Sequence, residues 1–237
     1  MRYAALVLVA TLLLLPIWWL LVSSLRPAAD IFRHAAEVGL ATIWPERIAL
    51  EHWEHALSGE LPRAVGNSLL VAVSTVGLGV IVCSLADFAF AVFEFPLERL
   101  LFALVLLGFM MLFESIVIPL FVPIRTFGWT NSYLALILPE VASGLVVFLF
   151  RQFFAGIPKA LYEAARVDGA SWLVIWAKLT LPLSGPVAAT AALALFIHQW
   201  DAFFWPLVAA PAAELVTGPG HGFFETASSV TFPTKWG

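Results

Sequence analysis

The chain has 237 residues, 62% of them hydrophobic and 12% charged, with a formal net charge of −4 and a mean hydropathy of +0.96. A soluble domain carries roughly 25% charged residues, so this chain is too sparsely charged to clothe a water-facing surface, and its slight acidity implies no nucleic-acid partner. Its one cysteine, Cys83, rules out an intrachain disulfide and a cysteine-cluster metal site; within an apolar run it reads as a small packing residue.

Five apolar runs are long enough for a helical bilayer crossing of about 20 residues. They lie at 4–25, 67–93, 100–122, 133–150 and 186–210. Backbone groups in lipid must bond within their own segment, so each run is expected to be a helix. The class is all-α integral membrane, with 1–237 as one transmembrane domain. The first run, about 22 residues, exceeds the 7–15 or so of a secretory h-region. Its exit, Ser23-Ser24-Leu25-Arg26-Pro27, lacks a small-residue cleavage pattern, so an uncleaved span is expected.

Residues 26–66 form a polar connection holding Asp30, Arg33, Glu37, Glu46, Arg47, Glu51, Glu54, Glu60 and Arg63. Trp44-Pro45 marks a bend, and 50–57, with Trp53, reads as a short surface helix. Further along, Pro119, Pro123 and Pro139 are expected to kink or end helices.

A second polar stretch, about 155–185, interrupts the apolar pattern between the fourth and fifth spans. Pro158 suits a first helical turn, and 159–167 follows as helix. Asp168-Gly169 ends it, since glycine takes positive φ readily. Ser171 is placed to cap a helix over 172–179, and Pro182 and Pro186 bracket the exit into the fifth span. A helix–turn–helix at the membrane surface results. Its small residues Ala164, Ala165, Gly169 and Ala170 allow close approach by a partner, rimmed by Glu163, Arg166 and Asp168. A second reading, an amphipathic elbow resting on lipid, is equally served by Trp172 and Trp176 at i and i+4.

Asp87, Glu114, Glu140, His198 and Asp201 fall within or near the spans. Ionisable groups at bilayer depth face a bundle interior or a wet cavity. His198 and Asp201, three apart, share a helical face, so both, with Glu114, are candidates for a polar translocation path. Interhelical hydrogen bonding is the alternative. Trp200, Phe203, Phe204 and Trp205 suit either stacking on sugar rings or an aromatic belt at the interface. Charge gives no orientation. Arg2, Arg99, Arg151, Lys159, Arg166 and Lys178 on one side balance Arg26, Arg33, Arg47, Arg63, Arg125 and Lys235 on the other.

Glu163-Ala164-Ala165 with Gly169, then Leu179-Thr180-Leu181-Pro182, resembles the EAA loop of bacterial ABC-importer permeases. The resemblance spans nearly the whole chain. Pro16 to Pro27, Asp30-Ile31-Phe32, Leu50 to Trp53, Asn67-Ser68-Leu69, Leu149 to Phe154, Ile157-Pro158 and Trp200 to Leu207 are similar to landmarks of the carbohydrate, maltose-permease-like branch. It implies a MetI-like helical bundle in the bacterial inner membrane. N-terminus and elbow would be cytoplasmic, with 26–66 and 211–237 outside. It assigns Glu163, Ala164, Ala165, Asp168 and Gly169 to coupling with an ATP-hydrolysing subunit. Partners implied are a second permease, two ATP-binding subunits and an extracytoplasmic solute-binding protein. This chain would hold no cofactor, ATP and Mg being bound by the ATPase.

Three features depart from that pattern. The family's last span is expected after residue 237, where the chain stops; Asp87 and Glu140 stand where neutral or aromatic residues are expected; and Trp200-Asp201-Ala202-Phe203 lacks the usual asparagine before the acid. No G-x-x-x-x-G-K-[ST] pattern occurs, so a permease without its own ATPase motif, not an enzyme, is expected. The competing readings are a proton-coupled secondary transporter through the same acids and an intramembrane acid–base enzyme.

Overall fold

The structure, a computed structural model, describes residues 2–27, 44, 47–59 and 61–211. Most of the expected outer connection, and the C-terminal segment from 212, lie outside the described residues. Among the described residues the regular structure is helical, with no strand. The chain divides into two units, Met1–Pro62 and Arg63–Gly237.

In the first unit, α1 (Arg2–Ser24) is apolar all round and contains Pro16. A helix of that kind with exposed sides belongs in lipid or against another helix. After it, the Ala49 N–H donates to the Leu25 carbonyl at 2.9 Å. Arg26, buried, lies over the Trp19 ring at 5.5 Å. The expected surface helix is α2 (Glu51–Ser58).

The second unit is a helical bundle. The long α3 (Leu61–Val92) is followed by α4 (Glu98–Met110) and α5 (Phe113–Thr126), then α6 (Tyr133–Val141) and α7 (Gly144–Phe154). The elbow region holds α8 (Lys159–Val167), α9 (Trp172–Ile175), a π-helical turn (Trp176–Thr180) and α10 (Leu181–Leu183). The run ends with α11 (Gly185–Trp200) and α12 (Phe204–Ala209). Three helical stretches, Leu6–Ser24, Leu61–Val92 and Tyr133–Phe154, are long and apolar enough to cross a membrane. The number rises to five if each of two bent helix pairs counts as one span.

The expected continuous spans differ from the structure where the backbone breaks. The run 100–122 is split into α4 and α5, bent by 105°. The run 133–150 is interrupted at Ala142–Ser143 and 186–210 at Asp201–Phe203. The expected single helix over 172–179 is instead α9 running into the π turn. There the Leu181 N–H reaches back five residues to the Trp176 carbonyl. Pro182, with no N–H to give the Lys178 carbonyl, removes the α-helical alternative at that point.

Freed backbone acceptors at such breaks must find other donors, and side chains supply them. The Ala135 carbonyl sits four residues before Pro139, which has no N–H; the buried Trp205 indole donates to it at 2.9 Å. At the α6–α7 break the Cys83 thiol donates to the Val141 carbonyl at 3.3 Å. Close packing brackets these joints. A Cβ on Gly144 would lie 2.6 Å from the Phe109 Cβ, so α4 and α7 touch backbone to backbone. One apolar core gathers around Phe150, Phe154, Ile175 and Leu195 beneath the elbow. A second gathers around Leu136, Ile124 and Trp205.

Candidate functional site

The elbow is built by local sequence rules. Lys159–Val167 forms α8 after Pro158. It ends in a paired turn: the Gly169 N–H donates to the Arg166 carbonyl and the Ala170 N–H to the Ala165 carbonyl, both at 3.0 Å. That is the Schellman arrangement, which needs a left-handed residue just past the helix. Gly169 supplies it with φ +83°. A Cβ there would meet nothing within 4 Å, so conformation rather than space selects glycine. Ser171 caps α9, its Oγ accepting from the Val174 N–H at 3.4 Å. Arg166 locks the corner by donating to the Ala170 carbonyl at 2.7 Å, its guanidinium 4.9 Å from the Trp172 ring centroid.

The elbow has two faces. Tyr162, Ile175 and Trp176 are buried against the bundle. Glu163, Ala164, Val167, Asp168 and Gly169 are exposed, and Ala165 is half-buried at the boundary. Val167 is 87% exposed and Leu173 63%, apolar groups left open on an otherwise polar corner. The structure therefore brings all five predicted coupling residues to one compact corner. Beside it lies a cavity of about 450 Å³ lined by Ala91, Val92, Ile157, Tyr162, Arg166 and Trp172, among others.

Aromatic edges clasp the inner face to the end of α3. Phe88 meets Tyr162 at 6.0 Å and Trp172 at 6.4 Å, and Phe93 meets Trp172 at 4.9 Å. The Trp176 indole donates to the Ser84 hydroxyl at 3.2 Å. Outside the clasp, Lys159 bonds Glu94 at 2.9 Å. The hydrogen bond from Lys159, and then its charge, hold the Glu94 carboxyl below the usual range; the same bond and the Glu94 charge raise the lysine. Arg151, at the end of α7, bonds Glu98 at 2.9 Å and lies 4.0 Å from the Phe102 centroid.

The candidate path residues separate. His198 Nε2 lies 3.0 Å from Glu140 Oε2, joining α11 to α6, with side-chain exposures of 62% and 10%. Spacing paired His198 with Asp201; Glu140, 58 residues earlier, gives no local signal of its role as partner. Asp201 closes α11 and is exposed. Trp200 stacks on Phe196 at 5.6 Å and 16°. Of the aromatic group, Trp205 is 1% exposed and lies in the core, so it serves neither a sugar-facing stack nor a lipid-facing belt. The Glu114 side chain lies outside the described residues. Among the described residues no cluster of three metal-ligating side chains forms.

Residues 76–226 match the family described as binding-protein-dependent transport system inner membrane component. The chain is similar to the arabinooligosaccharides transport permease AraQ of Halalkalibacterium halodurans, 32% identical over 214 residues covering 89% of this chain and 75% of that one. It is 33% identical over 201 residues to the sn-glycerol-3-phosphate transport permease UgpE of Rhizobium meliloti, covering 81% and 70%. To the lactose transport permease LacG of Rhizobium radiobacter it is 29% identical over 207 residues, covering 87% and 74%. In fold it matches a chain of a bacterial ABC transporter involved in import of the acidic polysaccharide alginate. The TM-score is 0.80 at 24% identity, over 95% of this chain and 78% of that one. With the all-helical bundle and its exposed Glu-Ala-Ala elbow, these likenesses settle the family: the chain belongs to the binding-protein-dependent inner-membrane transport components and is a membrane-embedded permease subunit of an ABC importer.

Proposed function

We propose that this permease moves a sugar or sugar-like solute into the cell by alternating access, driven by a separate ATPase through the elbow. The observation that carries the reading is the elbow's outer face. Glu163, Ala164, Val167 and Asp168 are exposed on a capped corner whose inner face packs against α3. Small residues let a partner's backbone come close, Glu163 and Asp168 offer charge, and Val167 and Leu173 offer apolar area of the kind that marks an interaction site. Glu163, Ala164, Ala165, Asp168 and Gly169 form the coupling surface.

The complex consists of this chain, a second permease, two ATP-binding subunits and an extracytoplasmic solute-binding protein in the inner membrane. N-terminus and elbow lie on the cytoplasmic side. ATP and Mg belong to the ATP-binding subunits, since this chain has no Walker A pattern. The carbohydrate class is supported by the names of the relatives, arabinooligosaccharides and lactose among them. His198, Trp200, Asp201 and Glu114 belong to the translocation path. His198 supports this best: an imidazole 62% exposed and bonded to a span carboxylate is expensive against lipid and needs a wet or protein-covered face.

The test is a cysteine at the exposed Ala164, crosslinked within the co-expressed complex, together with uptake in proteoliposomes. A164C is expected to join the ATP-binding subunit, and Glu163→Lys to lower solute-dependent ATP hydrolysis while membrane insertion is kept. Uptake sustained by a proton gradient without ATP would overturn the proposal in favour of a secondary transporter.

A further inference from the structure

Beneath the elbow, three side chains carry buried polar atoms without a partner. Asp87, on α3, is 0% exposed, and neither carboxylate oxygen has a hydrogen-bond partner. The Tyr162 hydroxyl, on the inner face of α8, is buried with none either. Arg151 uses Nη2 on Glu98, while its Nη1 is buried without a partner. A buried carboxyl group without hydrogen bonds is costly in either protonation state, and such orphans are rare enough in folded proteins to need a reason. Here an acceptor and a matching donor are orphaned on opposite sides of one seam.

Both lie at the same seam. Ser84 and Phe88, about one turn apart on α3, meet the elbow at the Trp176 indole, 3.2 Å, and the Tyr162 ring, 6.0 Å, and Asp87, three residues after Ser84, shares their helix face. Burial raises the Tyr162 phenol most, and the Asp87 charge adds to the rise. The Thr180 hydroxyl beside the phenol works the other way, lowering it, yet gives its own proton to the Ile175 carbonyl at 3.4 Å. The seam between elbow and α3 joins two kinds of contact. Its contacts are mostly ring edges, which lack a fixed register, and the Trp176–Ser84 bond at 3.2 Å is directional. Trp176 itself begins the π turn, a form of helix found at functional joints.

We propose that the Tyr162 hydroxyl donates to the Asp87 carboxyl group in a second position of the elbow, so that this bond holds one state of the transport cycle and carries elbow movement into α3. Tyr162 and Asp87 are positioning residues on this account. The bond is a differential contact, absent in one state and made in the other, which any two-state machine requires. The inference rests on the importer reading above.

The experiment uses the full complex in proteoliposomes. In a Cys83→Ser background, D87C and Y162C are oxidised in the nucleotide-free and the vanadate-trapped complex. Disulfide yield is expected to differ at least fivefold between the two; equal yields overturn the proposal. In parallel, Y162F and D87L are each expected to lower solute-stimulated ATP hydrolysis about tenfold, the scale of a buried hydrogen bond lost. D87N, which keeps an acceptor oxygen, retains more than D87L, and Y162F/D87L together fall no further than either alone. Additive losses, or D87N no better than D87L, overturn the proposal. A purely structural role instead lowers the melting temperature and the yield of assembled complex; neither is expected to fall below wild type, and D87L, which removes an unpartnered buried acid, is expected to melt at or above it. Wild-type vesicles showing no ATP-dependent uptake sink the importer reading separately, while the two crosslink states still report on the bond.

Discussion

Replacing Gly169 with alanine isolates the mechanical role of the elbow. The residue stands at φ +83°, and an added Cβ meets nothing within 4 Å. The penalty is therefore conformational alone, roughly 1–2 kcal/mol for an L-residue forced left-handed. That energy opposes a turn held by two 3.0 Å hydrogen bonds, to the Arg166 and Ala165 carbonyls. If the turn yields, its population falls about five- to thirtyfold. Packing of Tyr162 and Trp176 on the inner face resists, so this is an upper bound on lost uptake. The assay is solute taken up per ATP hydrolysed in proteoliposomes, with thermal unfolding in detergent as control. Coupling is expected to fall in the order glycine, asparagine, alanine, because asparagine tolerates the left-handed region. Coupling in G169A equal to wild type, or G169N falling as far as G169A, would refute the claim that this turn transmits force.

Gly144→Ala places a Cβ 2.6 Å from the Phe109 Cβ and 2.9 Å from the Val105 carbonyl, so the unfolding free energy of the solubilised protein should drop by about 1–3 kcal/mol. Gly77→Ala, with open space within 4 Å, should be neutral or gain up to about 1 kcal/mol; equal losses at both glycines would contradict the close-contact argument. Trp205→Phe withdraws the 2.9 Å donor from the buried Ala135 carbonyl and should cost about 1–3 kcal/mol. His198→Ala strands Glu140, whose side chain is 10% exposed. The double variant H198A/E140A should melt higher than H198A alone, since an unpaired buried charge is worse than none. The Glu94–Lys159 bond depresses the carboxyl and raises the amine. Its contribution is complete above the ordinary carboxylate range, fades as pH falls through the lowered Glu94 value, and fades again as pH rises through the raised Lys159 value. The difference in uptake between wild type and E94A should therefore stay constant from about pH 6 to 9 and shrink outside that window, and a difference that varies within it would show that the tether titrates elsewhere.

The elbow was legible because its determinants are local. Helix 159–167, the break at Asp168-Gly169 and the Ser171 cap each follow from residue types within a few positions of one another, and the resemblance in Glu163-Ala164-Ala165 lies in the same run. The broken spans were not legible. Hydropathy reports whether a segment prefers lipid, not whether its backbone is continuous, so 133–150 and 186–210 read as single rods although both are interrupted. The π turn was hidden for a related reason: Pro182 signals that an α-helical bond is lost, but not which register replaces it. Partnerships across the bundle were the least accessible. His198 with Glu140, Trp205 with Ala135 and Trp176 with Ser84 depend on helix packing, and periodicity along one helix carries no information about its neighbour.

Cys83 has a practical consequence for any chemistry done on this subunit. Its thiol is 1% exposed and engages the Val141 carbonyl at the interruption between α6 and α7, so it is a cork in a gap rather than inert filling. Serine in its place keeps a proton to offer, whereas alanine leaves the gap dry and unsealed. The chain's sole sulfhydryl is therefore expected to stay silent to maleimide while the interruption is shut, so that its labelling rate would clock any opening there.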